Sequence, residues 1–130
     1  MTEINYLAVL VATVAAFIVS STYYAVFGTQ LARLSATGGA ETRPPAWKLI
    51  VELTRSLAVA SVVAGIAVAA GVATWTSAVL LGLAAWVGFP VVLLTGSVIW
   101  ENVPWKLAAL HAGDWLAKLV AVALVVGLWR

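Results

Sequence analysis

A chain of 130 residues that is 64% hydrophobic and only 9% charged has too few polar side chains to cover a water-soluble domain of its size. Its mean hydropathy of +1.08 indicates a protein dissolved in a bilayer instead. The net charge of +2 is too small and scattered for a nucleic-acid surface, and the absence of cysteine excludes disulfides, thiolate metal sites and cysteine nucleophiles.

Residues 1–6 include Glu3 and neither Lys nor Arg, which argues against a cleaved signal peptide. Four apolar stretches follow, at residues 4–27, 48–72, 77–99 and 105–129. Each is long enough to cross a hydrocarbon core of about 30 Å, which takes about 20 residues as helix. Breakers separate them. Thr37, Gly38, Gly39, Pro44 and Pro45 mark a first, long loop, residues 71–76 a second and residues 101–104 a third. Open strands cannot satisfy their backbone in lipid, and nothing alternates as barrel strands do. The expectation is an all-α, integral membrane four-helix bundle forming one transmembrane domain over residues 1–130.

Arg33, Arg43 and Lys48 flank the first loop and Lys106 the third, against Arg130 on the opposite side. This bias puts loops one and three in the cytoplasm and both termini outside. Trp47, Trp100 and Trp105 then form an inner aromatic belt, and Trp75 and Trp129 an outer one. Small residues recur every fourth position, which lets helix backbones approach closely. The rows are Ala8, Ala12, Ala16 and Ser20; Ser61, Gly65 and Ala69; Ala84 and Gly88; and Ala109, Gly113, Ala117 and Ala121. They serve packing within the bundle or a subunit interface. A faint repeat also appears, because Pro45-Ala-Trp-Lys-Leu49 opens span two and Pro104-Trp-Lys-Leu107 opens span four. It suggests two tandem helical hairpins, although Pro, Trp and Lys at a membrane helix start are ordinary.

Charges inside the spans are the best lead on function. Each costs roughly 2.5–3.5 kcal/mol near the bilayer centre, so it needs a reason. His111, Asp114 and Lys118 share one face of span four, with Asp114 roughly 13 Å in from Trp105. Glu52 and Arg55 lie at comparable depth on span two. Arg55 is expected to pair with Asp114, Glu52 with His111, and Lys118 with Asp114 along its own helix. These charged faces lie roughly 110° around from the small-residue rows, which implies different neighbours. Carboxylates and a histidine at several depths suit a proton or ion path, and a balanced cluster equally suits an ion-pair lock on helix register. His111 and Asp114 are too few ligands for a closed metal site, so no metal or other cofactor is expected.

Pro90 is expected to kink span three beside Gly88. Glu101 and Asn102 suit a turn, and Asn5 and Tyr6 are candidates for hydrogen bonds between helices. Neither a nucleophile elbow nor a phosphate loop is present, no catalytic residue is assigned, and an enzyme is the least supported class.

Two stretches resemble a known family. Ser21-Thr-Tyr23-Tyr24-Ala-Val-Phe27-Gly28 is similar to a Trp-Tyr-Ser-Pro…Phe-Gly motif of small bacterial membrane proteins. Gly88-Phe89, Trp100-Glu-Asn-Val-Pro-Trp-Lys-Leu107 and Gly127-Leu-Trp129 resemble the closing signature of the same family, Glu-Gly-Arg-Pro…Lys-Leu-Phe…Asn-Ala-Gly-Tyr-His…Gly-Leu-Trp. That family is the domain-of-unknown-function group numbered seventeen-sixty-one. The resemblance implies four membrane helices and supplies no activity. Where the pattern has Asn-Ala-Gly-Tyr-His, this chain has His111-Ala-Gly-Asp114-Trp115, and no proline follows Tyr24. The expected function is therefore a small bacterial inner-membrane channel or transporter for protons, ions or small solutes. It would act through Glu52, Arg55, His111, Asp114 and Lys118 as a homo-oligomer. The alternative is an accessory subunit docked on another membrane protein, its charges serving packing alone.

Overall fold

A computed structural model describes residues 4–34 and 45–129. The residues at 3, 37–39, 43, 44 and 130 used above for breaks and charge bias lie outside that range. Asn5 caps α1 (Tyr6–Val26), its side chain accepting from the Ala8 N–H at 3.2 Å. A short α2 (Gly28–Leu34), which hydropathy did not single out, follows directly. Pro45 precedes α3 (Ala46–Ala70), whose end is a left-handed Gly71 at φ 70°. There the Val72 N–H reaches back to the Ala67 carbonyl at 2.9 Å and the Gly71 N–H to Val68 at 3.2 Å. This pattern ends a helix without stranded carbonyls and favours glycine at the turn. Thr74 and Ser77 form a capping box that starts α4 (Trp75–Gly88).

The third span is two helices rather than one. At Phe89 the backbone leaves helical geometry (φ −122°, ψ −74°), and α5 (Pro90–Trp100) begins. Pro90 has no N–H to offer the Trp86 carbonyl, so the break falls where the sequence removes a donor. Glu101 ends α5, and Asn102 takes φ 57°, a left-handed conformation that asparagine tolerates, before α6 (Trp105–Leu128). Among the described residues four apolar spans result: α1, α3, α4 with α5, and α6. The described residues contain no strand, and the chain is an all-α membrane bundle.

Exposed Leu, Ile and Val side chains cover the outside of the bundle, as lipid contact requires. Trp47, Trp100 and Trp105 lie exposed at one end and Trp75 and Trp129 at the other. The first will be called the loop end, and the second, where Asn5 also donates to the Trp129 carbonyl at 3.4 Å, the terminus end. Tyr6, by contrast, is 76% exposed. The two Trp-Lys-Leu openings share a local geometry: Lys48 lies 5.7 Å from the Trp47 ring centre and Lys106 5.8 Å from that of Trp105.

α6 is the hub. It packs on α1, α3, α4 and α5, and α1 packs on α3; α3 makes no extended contact with α4 or α5 among the described residues. The apolar core gathers Val9, Ala12 and Ala16 of α1, Ala60, Ala64 and Ala67 of α3, Ala78 of α4, and Val122, Ala123 and Val126 of α6. All of these lie in the terminus-end half.

The rows that pack here differ in part from those expected. Ala12 and Ala16 are fully buried. On α3 the inner row is Ser56, Ala60 and Ala64, whereas Ser61 and Ala69 are exposed and Gly65 only half-buried. On α4 the inner pair is Ala78 and Gly82, whereas Ala84 and Gly88 face outward. A Cβ at Gly82 would come within 2.9 Å of the Val120 Cα, while one at Gly65 or Gly88 would meet nothing within 4 Å. On α6 Ala109 and Ala117 are exposed, and the inward face is the charged one. An alanine-rich helix carries several small-residue rows, and only tertiary contacts select among them.

Candidate functional site

Asp114 and Lys118 lie one turn apart on the hub helix, shielded from lipid by its neighbours. Their side chains are 3% and 8% exposed, and Lys118 Nζ lies 3.2 Å from Asp114 Oδ2. The other carboxylate oxygen accepts from Ser20 Oγ of α1 at 2.7 Å. Lys118 also rests 3.9 Å from the Trp115 ring centre, where the ring's negative face adds attraction. Both carboxylate oxygens are thus satisfied, which a buried acid in an apolar medium demands.

One turn toward the loop end, His111 Nδ1 is hydrogen-bonded to Tyr24 Oη at 2.5 Å. Beside it Tyr23 Oη donates to the Leu110 carbonyl at 2.6 Å, with its ring against Gly113, where a Cβ would clash with the phenol. Gly113 is therefore the glycine that α1 needs in order to approach. On the opposite side of α6, Trp86 Nε1 of α4 donates to the Ala112 carbonyl at 2.8 Å. Polar contacts from two helices thus fix both the depth and the rotation of α6.

Two expected pairings do not form. Arg55 bonds Glu52 on its own helix at 2.5 Å rather than Asp114, and His111 bonds Tyr24 rather than Glu52. The cause is geometric: the first half of α3 stands away from α6 and leaves a cavity between them. Its volume is about 490 Å³. All five expected residues line it, Glu52, Arg55, His111, Asp114 and Lys118, together with Ser20, Ser21 and Tyr24 of α1. The rim is the exposed side, with Arg55 and Glu52 side chains 56% and 43% accessible, and the inner wall is the buried Asp114–Lys118 pair. Toward the terminus end the apolar core closes it.

Ala12, Ala16, Gly65, Gly88 and Ala117 take no part in the cavity lining; only Gly113, through Tyr23, touches its framework. Reasoning from charge alone missed Ser20, Tyr23 and Tyr24. Ser20 was visible only as a small packing residue, and the tyrosines only inside the family-like stretch at the end of α1. That stretch meets the His111–Trp115 segment at the α1–α6 crossing, so the first resembling stretch lies against the segment where the chain departs from the family pattern. The described residues hold no group of three metal-ligating side chains.

No curated protein and no solved structure matches the chain. Residues 7–127, nearly the whole chain, match one family, and the chain belongs to that family, described as a protein of unknown function (DUF1761).

Proposed function

We propose that this membrane protein is a small transporter or channel whose loop-end cavity admits a small polar solute. The observation that carries the reading is one cavity of about 490 Å³ lined by five ionisable side chains from two helices and by hydroxyls from a third. That volume falls within the roughly 300–1,000 Å³ typical of small-molecule sites and is generous for a bare proton path. Intramembrane ionisable groups are costly and mark solute paths by default. Two acids and two bases line the cavity, so its formal charge cancels when His111 is neutral. A zwitterion fits such a lining without leaving net charge in a low dielectric, whereas a lone ion does not.

Arg33, Lys48 and Lys106 all lie at the loop end, so the mouth faces the cytoplasm of a bacterial inner membrane under this reading, with both termini outside. The packed terminus-end half must open for a solute to pass. Assembly as a homo-oligomer belongs to the same proposal: Gly88 and Ala117 face outward, where a second copy needs small residues to come close.

Stopped-flow swelling of proteoliposomes in a glycine gradient tests the reading, with protein-free vesicles as baseline. The double variant Asp114→Asn/Lys118→Met removes both buried charges together and so spares the fold the cost of an unpaired one. Glycine entry in wild type and baseline entry in the folded double variant is the expected result. Equal entry in the two proteins would sink the reading. The fully satisfied Asp114–Lys118–Ser20 cluster favours the accessory-subunit alternative, which expects baseline entry throughout.

A further inference from the structure

A second opening lies on the other side of α3. Because α3 and the α4–α5 pair do not pack together, a groove of about 520 Å³ remains between them. Its walls are apolar, with Ala58, Val62 and Ile66 on α3 and Phe89 and Leu93 beside the helix break, and Leu119 of α6 is at its floor. Among the described residues Arg55 is the one charged group lining it. Arg55, Leu94 and Trp115 line both this groove and the polar cavity. The two spaces therefore meet at a shared boundary, polar on one side and greasy on the other.

From this continuity we infer that the ligand of the cavity is a lipid of the surrounding bilayer, with a zwitterionic ammonium–phosphate head and an acyl chain. The inference rests on the reading of the cavity as a site for a zwitterion and names a membrane lipid as the molecule that carries that zwitterion into it. Charge complementarity selects the head. The rim presents Arg55 and Glu52 as one accessible charge of each sign. Only Arg55 Nη1 bonds Glu52, and the planar guanidinium keeps further N–H donors for a phosphate oxygen. Glu52 has a second carboxylate oxygen for an ammonium. The inner pair is already satisfied, so an added net charge would stay uncompensated.

The groove accounts for the chain. From Arg55 to Ile66 α3 rises roughly 16 Å, about the depth of one leaflet's hydrocarbon. The groove is lined by residues of α3, of both sides of the Phe89 break and of α6, and a chain lying there gains van der Waals contact with apolar side chains on several sides. Such a lipid holds its head well below the loop-end interface, roughly 9–13 Å in from the start of α3.

Native mass spectrometry of the purified full chain tests this with three probes: lysophosphatidylethanolamine, lysophosphatidylglycerol of the same chain length, and glycerophosphoethanolamine, which keeps the zwitterionic phosphodiester head and lacks the chain. One bound lysophosphatidylethanolamine is expected, with at least about tenfold weaker retention of each of the other two. The double variant Glu52→Gln/Arg55→Gln should abolish the preference between the lipids. Ala58→Phe fills the groove from its exposed wall without touching the core, and should lower lipid retention to the level of glycerophosphoethanolamine. Equal retention of the two lipids by wild type overturns the assignment of the head. Unchanged retention in Ala58→Phe overturns that of the chain. Glycine entry that persists alongside either failure leaves the cavity standing as a solute site and removes only the lipid.

Discussion

From Ala8 to Ala16 α1 presses alanines into an apolar core, whereas from Ser20 to Tyr24 the same helix spends its inner face on hydrogen bonds to α6. α3 divides the same way. Ala60, Ala64 and Ala67 are buried, yet Glu52 and Arg55 stand at a cavity rim. The terminus-end half is held by close approach of small residues, the loop-end half by a few directed polar contacts around an open space. The difference teaches where a membrane bundle can keep a cavity: beyond the reach of its small-residue packing, where charged groups on a central helix have partners and no lipid neighbour.

Thiol chemistry is the sharpest way to break that comparison, because the natural chain has no cysteine to remove. Ser21→Cys, on the cavity lining, should react with a membrane-impermeant maleimide added on the loop side and resist it from the other. Ala16→Cys, in the packed half, should stay unlabelled from both. Labelling of both positions would mean that the halves do not differ.

Next in size is the contrast between the two ion pairs. Asp114→Ala strands a buried lysine and should cost about 3–5 kcal/mol in thermal or denaturant unfolding in detergent. Adding Lys118→Met should recover most of that loss. Glu52→Gln at the accessible rim should cost about 0–1 kcal/mol. Similar losses at both sites would contradict the difference in burial.

Glycines give a smaller, signed contrast. Gly82→Ala drives a methyl toward the Val120 backbone and should cost about 1–3 kcal/mol. Gly88→Ala enters open space within one chain and should leave the fold of the single chain unchanged or stabilise it by up to about 1 kcal/mol. A stabilising Gly82→Ala would deny the close approach of α4 to α6. Smaller than the Gly82 effect is that of Tyr23→Phe, which removes the hydroxyl that reaches Leu110 and should cost about 0.5–1.5 kcal/mol. Thr54→Ala, whose exposed hydroxyl bonds only its own helix, should change stability little.

Hydropathy sufficed for the four spans, because burying a backbone in lipid leaves helices as the natural solution for apolar stretches of this length. The interruption at Pro90 was legible for an equally local reason, a missing N–H, although a kink was expected and two helices formed. Charge inside apolar runs picked out Glu52, Arg55, His111, Asp114 and Lys118 because burial cost makes such residues conspicuous one at a time. Of the expected pairs, Asp114–Lys118 was the accessible one, since a spacing of four puts both on one helical face whatever surrounds them.

Partners on other helices were another matter. That Arg55 turns to Glu52, that His111 meets Tyr24 and that Ser20 reaches Asp114 depend on how far α3 leans from α6 and on the depth at which α1 crosses it. The choice among small-residue rows has the same origin, because Gly82 and Gly88 look alike in sequence and differ only in what stands opposite. Length, apolarity and isolated charge are properties of one segment, and so the sequence by itself determined a four-span membrane helical chain with charges within its spans. The cavity, its lining hydroxyls and its lateral groove belong to the distances between segments, which only the tertiary structure decided.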